Sequence, residues 1–206
     1  MTLRVISHSL AEHLLVSLRD QTTAPCEFRR LARSLTAILI TEATRQLEVK
    51  DVIVRTPLEN TVGHILTEKV VLVPVLRAGL SMLDISLELI PGASVGYVGM
   101  ERDEATAVAH SYYCKLPPLQ GSRVLLLDPM LASGGSAAAA IDQLVTAGAG
   151  PISLLSVVAA PQGVERLTKA YPNLTIYAAA LDRELNDRSF IMPGLGDFGD
   201  RLYGTV

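Results

Sequence analysis

Asp128, Ser133, Gly134, Gly135 and Ser136 stand where an apolar run, VLLLD, gives way to an alanine-rich helical pattern. Two glycines between hydroxyls let the backbone turn so that successive N–H groups converge on one centre. The helix start behind them adds unpaired donors and partial positive charge. Such a cradle suits a phosphate monoester and needs no lysine. It is not a Walker loop, which requires Gly-Lys-Ser/Thr, and it lacks the GxGxxG of a dinucleotide site. The plainer reading of Ser-Gly-Gly-Ser is a strand-to-helix turn with serine caps. Asp128 shifts the balance, because a carboxylate beside a phosphate is repelled unless it has its own task. Ribose hydroxyls, or a metal held on them, would supply that task.

Arg77 directly follows another apolar run, VVLVPVL (70–76). A charge there adds nothing to packing. A guanidinium fork suits pyrophosphate oxygens and stays charged at any working pH. Ala78-Gly79 lets the backbone approach closely. Near the end of the chain, Pro193, Gly194, Gly196 and Gly199 predict neither helix nor strand. They predict a loop folded back on itself with backbone donors and acceptors on show.

The elements that position these residues follow from periodicity. Residues 70–76, 94–100, 123–128, 152–160 and 174–180 are continuous apolar runs, as expected of strands covered on both faces. Helical patterns lie between them, at 79–90, after Gly135 and at 161–171. Alternation of this kind predicts a parallel sheet with right-handed crossovers and ligands at the carboxyl ends of its strands. Two helices open the chain: one capped by Ser7 or Ser9 with Leu10, Leu14, Leu15 and Leu18 apolar, and one over 27–47 with Leu31, Leu35, Ile38 and Leu39 apolar. Residues 51–55 read as a strand. The 51–66 stretch and the opening helices fall outside the alternation and suit a subdomain or an oligomer surface.

Composition limits the function classes. The 206 residues suit one domain. Aromatic residues make up 4% with no Trp, and the net charge is −3, so neither a base-stacking platform nor a basic field for polyanions is expected. No segment reads as a signal peptide or membrane span. Cys26 and Cys114 match no zinc or redox spacing and read as buried or idle thiols. His8, His13, His64 and His110 have no metal-ligand spacing. No serine is paired with a base in the manner of a hydrolase. Glu165-Arg166 and Asp182–Glu184 read as solvated charges.

Several segments carry a family resemblance. DPMLASGGS (128–136) resembles the phosphoribosyl diphosphate (PRPP) loop of uracil phosphoribosyltransferases, DPMLATGGS, with Ser133 for Thr. VPVLRAGLSML (73–83) resembles their VPILRAGLGM, and residues 189–205 resemble their IPGLGDAGDR-(Y/F)-GT ending. Residues 98–117 resemble their arm. The match spans nearly the whole chain and is weakest at 51–67.

The resemblance implies an α/β, type I phosphoribosyltransferase-like fold: a mostly parallel central sheet flanked by helices, with a flexible hood or arm and a C-terminal base-binding loop. One domain over 1–206 would comprise N-terminal helices (1–50), the arm (98–117) and the base-binding tail (182–206). The implied reaction joins uracil to PRPP, giving UMP and diphosphate. Arg77, Arg102, Asp128 and Asp197 would carry the chemistry. PRPP would also lie on Pro129, Met130, Leu131, Ala132, Ser133, Gly134, Gly135 and Ser136. Ile191, Gly196, Asp197 and Phe198 would line uracil. In this fold class the loop at Arg77–Gly79 often carries a cis peptide. Mg²⁺ would be bound mainly through PRPP, with no direct side-chain ligand assigned, and GTP activates some members. A cytoplasmic homodimer or homotetramer without nucleic-acid or membrane partners completes the expectation.

Departures from the family pattern are Glu101 for an aromatic, Phe190 for Tyr and Phe198 for a frequent Ala. The rivals are a purine or orotate phosphoribosyltransferase, a non-catalytic RNA-binding regulator that senses UMP, and a nucleotide-binding scaffold without chemistry.

Overall fold

A computed structural model describes residues 2–102 and 109–205. Strand β1 (Thr2–Val5) is followed by helices α1 (Ser9–Arg19) and α2 (Pro25–Thr44), then by strands β2 (Val49–Arg55) and β3 (Asn60–Leu66). The alternating part runs β4 (Lys69–Leu76), α3 (Leu80–Leu89), β5 (Ser94–Val95), β6 (Tyr97–Arg102), β7 (Ala109–Lys115), β8 (Ser122–Leu127) and β9 (Met130–Leu131). It continues through α4 (Gly135–Thr146), β10 (Ile152–Ala159), α5 (Pro161–Ala170) and β11 (Thr175–Leu181). The tail holds β12 (Glu184–Leu185), β13 (Ile191–Met192) and α6 (Phe198–Tyr203).

The central sheet has the order β1-β11-β10-β8-β4-β6-β7. Its described pairs are parallel except β6 with β7. β8 shows why the apolar runs are continuous. Leu125 and Leu127 pack into one core with α1, α2 and α3, while Val124 and Leu126 pack into a second with α4 and α5. Successive side chains point to opposite faces, and helices cover both. All eight residues of β10 are buried.

The five predicted apolar runs form strands, the 94–100 run broken at Gly96 into β5 and β6, and 51–55 lies in β2; the helices between the runs are present. The differences have local causes. In α1, His8 is the N-cap: its side chain accepts from the Leu10 N–H at 3.1 Å, while Ser9 already lies in the helix. Leu10 is exposed, and Ala11 takes its place on the buried face with Leu14, Leu15 and Leu18. Edge strand β1 pairs in register with β11 and was not anticipated. Residues 49–66 form a separate antiparallel hairpin, so β2 acquires a partner that the sequence reading left unassigned. Cys26 and Cys114 are both exposed, so neither is a buried thiol.

Candidate active site

The loops after β4 and β8 and the tail meet at the carboxyl end of the sheet. Gly134 caps α4 with φ 75°, a left-handed conformation that glycine adopts without steric cost. That turn starts the helix at Gly135, and its first residues, Gly135, Ser136 and Ala137, line a cleft of about 310 Å³. Arg77, Asp128, residues 130–137 and Asp197 line this cleft.

Gly79 fixes the loop that carries Arg77. A Cβ at Gly79 would lie 2.3 Å from the Leu127 carbonyl oxygen and 2.6 Å from that of Val75. No side chain fits there, which brings the β4 loop against the end of β8. The cis peptide expected within Arg77–Gly79 falls one bond earlier, at Leu76–Arg77.

Asp128 is held through its backbone. Its N–H donates to the Leu155 oxygen at 3.1 Å, and its own carbonyl oxygen accepts from the Ser156 hydroxyl at 2.7 Å. This fixes the carboxyl at the cleft, where Oδ1 accepts from the Met130 N–H at 3.3 Å. Loss of hydration pushes the Asp128 pKa up to about 6, and that single backbone donor only partly opposes the shift. A cation or hydroxyl donors arriving in the cleft would stabilise the charged form. Among the described residues no cluster of three or more His, Cys, Asp or Glu could hold a metal ion.

A second hollow, of about 200 Å³, adjoins the first. Ile191, Gly196, Asp197 and Phe198 line it, and Met130, Ala132 and Asp197 line both hollows. Asp197 is the N-cap of α6 and accepts from the Asp200 N–H at 2.9 Å. Phe198 is buried and meets Phe28 edge-on, with ring centroids 5.0 Å apart.

Most expected site residues therefore converge. Pro129 does not line either hollow, and its carbonyl oxygen is bonded to the Val157 and Val158 N–H groups of β10. Arg102 ends β6 and pairs in register with Ala109, so the arm is built on two antiparallel strands. The expected arm residues 103–108, between those strands, lie outside the described residues. Arg188, Ser189 and Phe190 also line the second hollow. In the sequence Phe190 stands out only as a departure from the family pattern, and nothing in the residue pattern singles out Arg188.

The tail corrects two expectations. Gly199 lies inside α6 rather than in a loop, after the short strand Ile191–Met192 that pairs with β12. Asp182 is buried rather than solvated, because Arg19 pairs with it.

A doubly covered parallel sheet with a glycine-led helix start and a carboxylate meeting at its carboxyl end is the arrangement of the type I phosphoribosyltransferase fold, and related proteins place the chain in that class. Solved structures agree at the level of fold: a purine phosphoribosyltransferase from Pyrococcus horikoshii matches with TM-score 0.50 and 12% identity over 76% of this chain and 89% of that one. An Aquifex aeolicus protein matches far more closely, with TM-score 0.93 and 37% identity over 98% of each chain. The family model for uracil phosphoribosyltransferase matches residues 5–205. Relatives of that name are 47% identical in Fervidobacterium nodosum (98% of this chain, 99% of that one) and 49% identical in Roseiflexus castenholzii (98% and 97%). The chain belongs to the uracil phosphoribosyltransferase family.

Proposed function

We propose that the two adjoining hollows divide the substrates of the family reaction, in which uracil and PRPP give UMP and diphosphate. The carrying observation is the shared wall of Met130, Ala132 and Asp197, which lets a ribose in one hollow meet a base in the other.

In this reading the N–H groups at the start of α4 and the hydroxyls of Ser133 and Ser136 hold the 5′-phosphate. Arg77 and Arg102 bind diphosphate oxygens and stabilise the charge that develops as this group leaves. Asp128 accepts from the ribose hydroxyls. Ile191 and Gly196–Phe198 present apolar surface and backbone groups to uracil and set its ring nitrogen over the anomeric carbon. Asp197 stands at the junction of the two hollows.

The oxygen donors at the cleft, Asp128 foremost, fit a hard divalent cation carried in on the substrate. Mg²⁺ would supply neutralisation of the diphosphate charge. A turnover assay with uracil and PRPP, with and without Mg²⁺, tests the assignment. No UMP under either condition would overturn it, and added GTP in the same assay reads out activation.

A homodimer or homotetramer belongs to the same proposal. Val49, Ile53, Val62 and Leu66 are exposed along one face of the β2–β3 hairpin. A two-stranded ribbon with apolar residues in water is marginal alone and gains from a covering surface. No described helix is long and apolar enough to cross a membrane. A cytoplasmic place of action is proposed because PRPP is too highly charged to pass through lipid unaided.

A further inference from the structure

We infer that Arg19 is a positioning residue for the uracil-binding loop, acting through Asp182 and the Gly194 backbone; this rests on the reading above that the C-terminal loop holds the base.

The Asp182 carboxyl is 5% exposed, and a carboxylate so enclosed needs a partner. Arg19, at the end of α1, supplies both arms of its guanidinium: Nη2 to Oδ1 at 2.6 Å and Nη1 to Oδ2 at 2.8 Å. The Gly194 N–H donates to the same Oδ2 at 2.9 Å. Arg19 Nη1 also donates to the Gly194 oxygen at 2.7 Å. The ion pair therefore grips both the N–H and the carbonyl of Gly194. Only a planar fork makes these bonds together, so lysine is not an equivalent.

The attachment is reciprocal. Arg201, from the tail, donates through Nη1 to the Leu18 oxygen of α1 and to the Leu195 oxygen, both at 2.7 Å. Its guanidinium carbon lies 4.6 Å from the centre of the Phe28 ring. The final carbonyls of a helix lack partners within it, so α1 offers acceptors where the tail passes. The α1 end and the loop are thus joined in both directions, through Arg19 and through Arg201.

Arg19 and Asp182 line neither hollow. Their route to the base is through Gly194 and Leu195 to Gly196, Asp197 and Phe198. Most of the PRPP cleft is built on the loops after β4 and β8 instead. Loosening Gly194 should therefore displace the uracil wall more than the phosphate cradle. Misplacing a bound reactant by a fraction of its diameter is costly even when no contact to it is deleted.

The test is steady-state kinetics of Arg19→Ala, paired with UMP-dependent hydrogen exchange at residues 194–198 of the unaltered protein. The expected result is a rise in uracil KM of roughly tenfold or more, with PRPP KM changed by less than about threefold. Millimolar guanidinium, which can reoccupy the place beside Asp182, should recover part of the uracil KM. If Arg19→Ala does not fold, Asp182→Asn is read in the same way. A folded variant with unaltered uracil KM, or with both KM values raised equally, overturns the inference. Absence of UMP protection at 194–198 would instead overturn the base-loop reading beneath it.

Discussion

Tyr203, near the end of the chain, donates its hydroxyl to the backbone oxygen of Arg77 at 3.4 Å. The helix that follows the base loop therefore touches the loop proposed to hold diphosphate. The bond is long and exposed, so its contribution sits at the lower end of about 0.5–1.5 kcal/mol. Tyr203→Phe should raise PRPP KM by a small factor, about two- to threefold, with uracil KM unchanged. Identical PRPP kinetics in variant and parent would show that the bond does not orient Arg77.

Arg77→Ala removes a charged fork from the diphosphate. Charge-assisted bonds of this kind are each worth about 1.5–3 kcal/mol. The expected rise in PRPP KM is roughly 10- to 100-fold, with uracil KM little changed, while kcat falls through the lost stabilisation of the leaving group. Initial-rate measurements with each substrate varied in turn would decide, and KM values raised equally for both substrates would contradict the assignment.

Asp128 gives a pH dependence with a defined sign. Its folded pKa, about 6, lies above the ordinary value of 3.8. The folded chain therefore binds the extra proton more tightly than the unfolded chain. The stability contributed by this group is fully present below pH 3.8 and is lost as pH rises through about 6. Asp128→Asn should flatten that part of the melting-temperature profile. In the parent enzyme, kcat/KM for PRPP should fall as pH drops through about 6, because the protonated carboxyl no longer serves the ribose. A pH–rate profile with no group titrating near that pH would argue against the role.

The strands were legible where both faces are covered, because a run such as residues 152–159 has no alternative to the interior. The short edge strand β1 carries no such signature. It exists because β11 offers it an open edge. In α6, the glycine pattern concealed a helix whose signals were nonetheless present: Asp197 as N-cap, buried Phe198 and Leu202, and Gly204 closing the helix at φ 67°. Asp182 illustrates a different limit. Its sequence neighbours Arg183 and Glu184 are exposed, and its partner is 163 residues away. Burial at one position of a charged stretch is decided by that distant contact, and no local pattern reports it.

The hairpin makes a prediction about assembly. Ile53 and Val62 are cross-strand partners, 73% and 56% exposed. In a homo-oligomer that covers this face, Ile53→Lys would bury an unpaired charge at the interface, costing several kcal/mol. Sedimentation of the variant should show a shift towards monomer. A parent protein that sediments as a monomer would remove the basis for assembly through the hairpin.

Phe198 joins stability to specificity. It is 2% exposed, packs edge-on against Phe28 and forms part of the second hollow. Phe198→Ala should cost about 3–5 kcal/mol in unfolding free energy, read from denaturant titration. The same change enlarges the hollow from its inner side. Uracil should then bind more weakly, while analogues carrying an extra methyl group should lose less than uracil does. If the loop backbone reads the base, as proposed, rejection of cytosine should survive, because backbone groups that match a carbonyl would leave an amino group unpaired. Competition among uracil, a methylated uracil and cytosine at fixed PRPP separates these effects. A variant that accepts cytosine as readily as uracil would show that the side chain, rather than the backbone of the loop, reads the base.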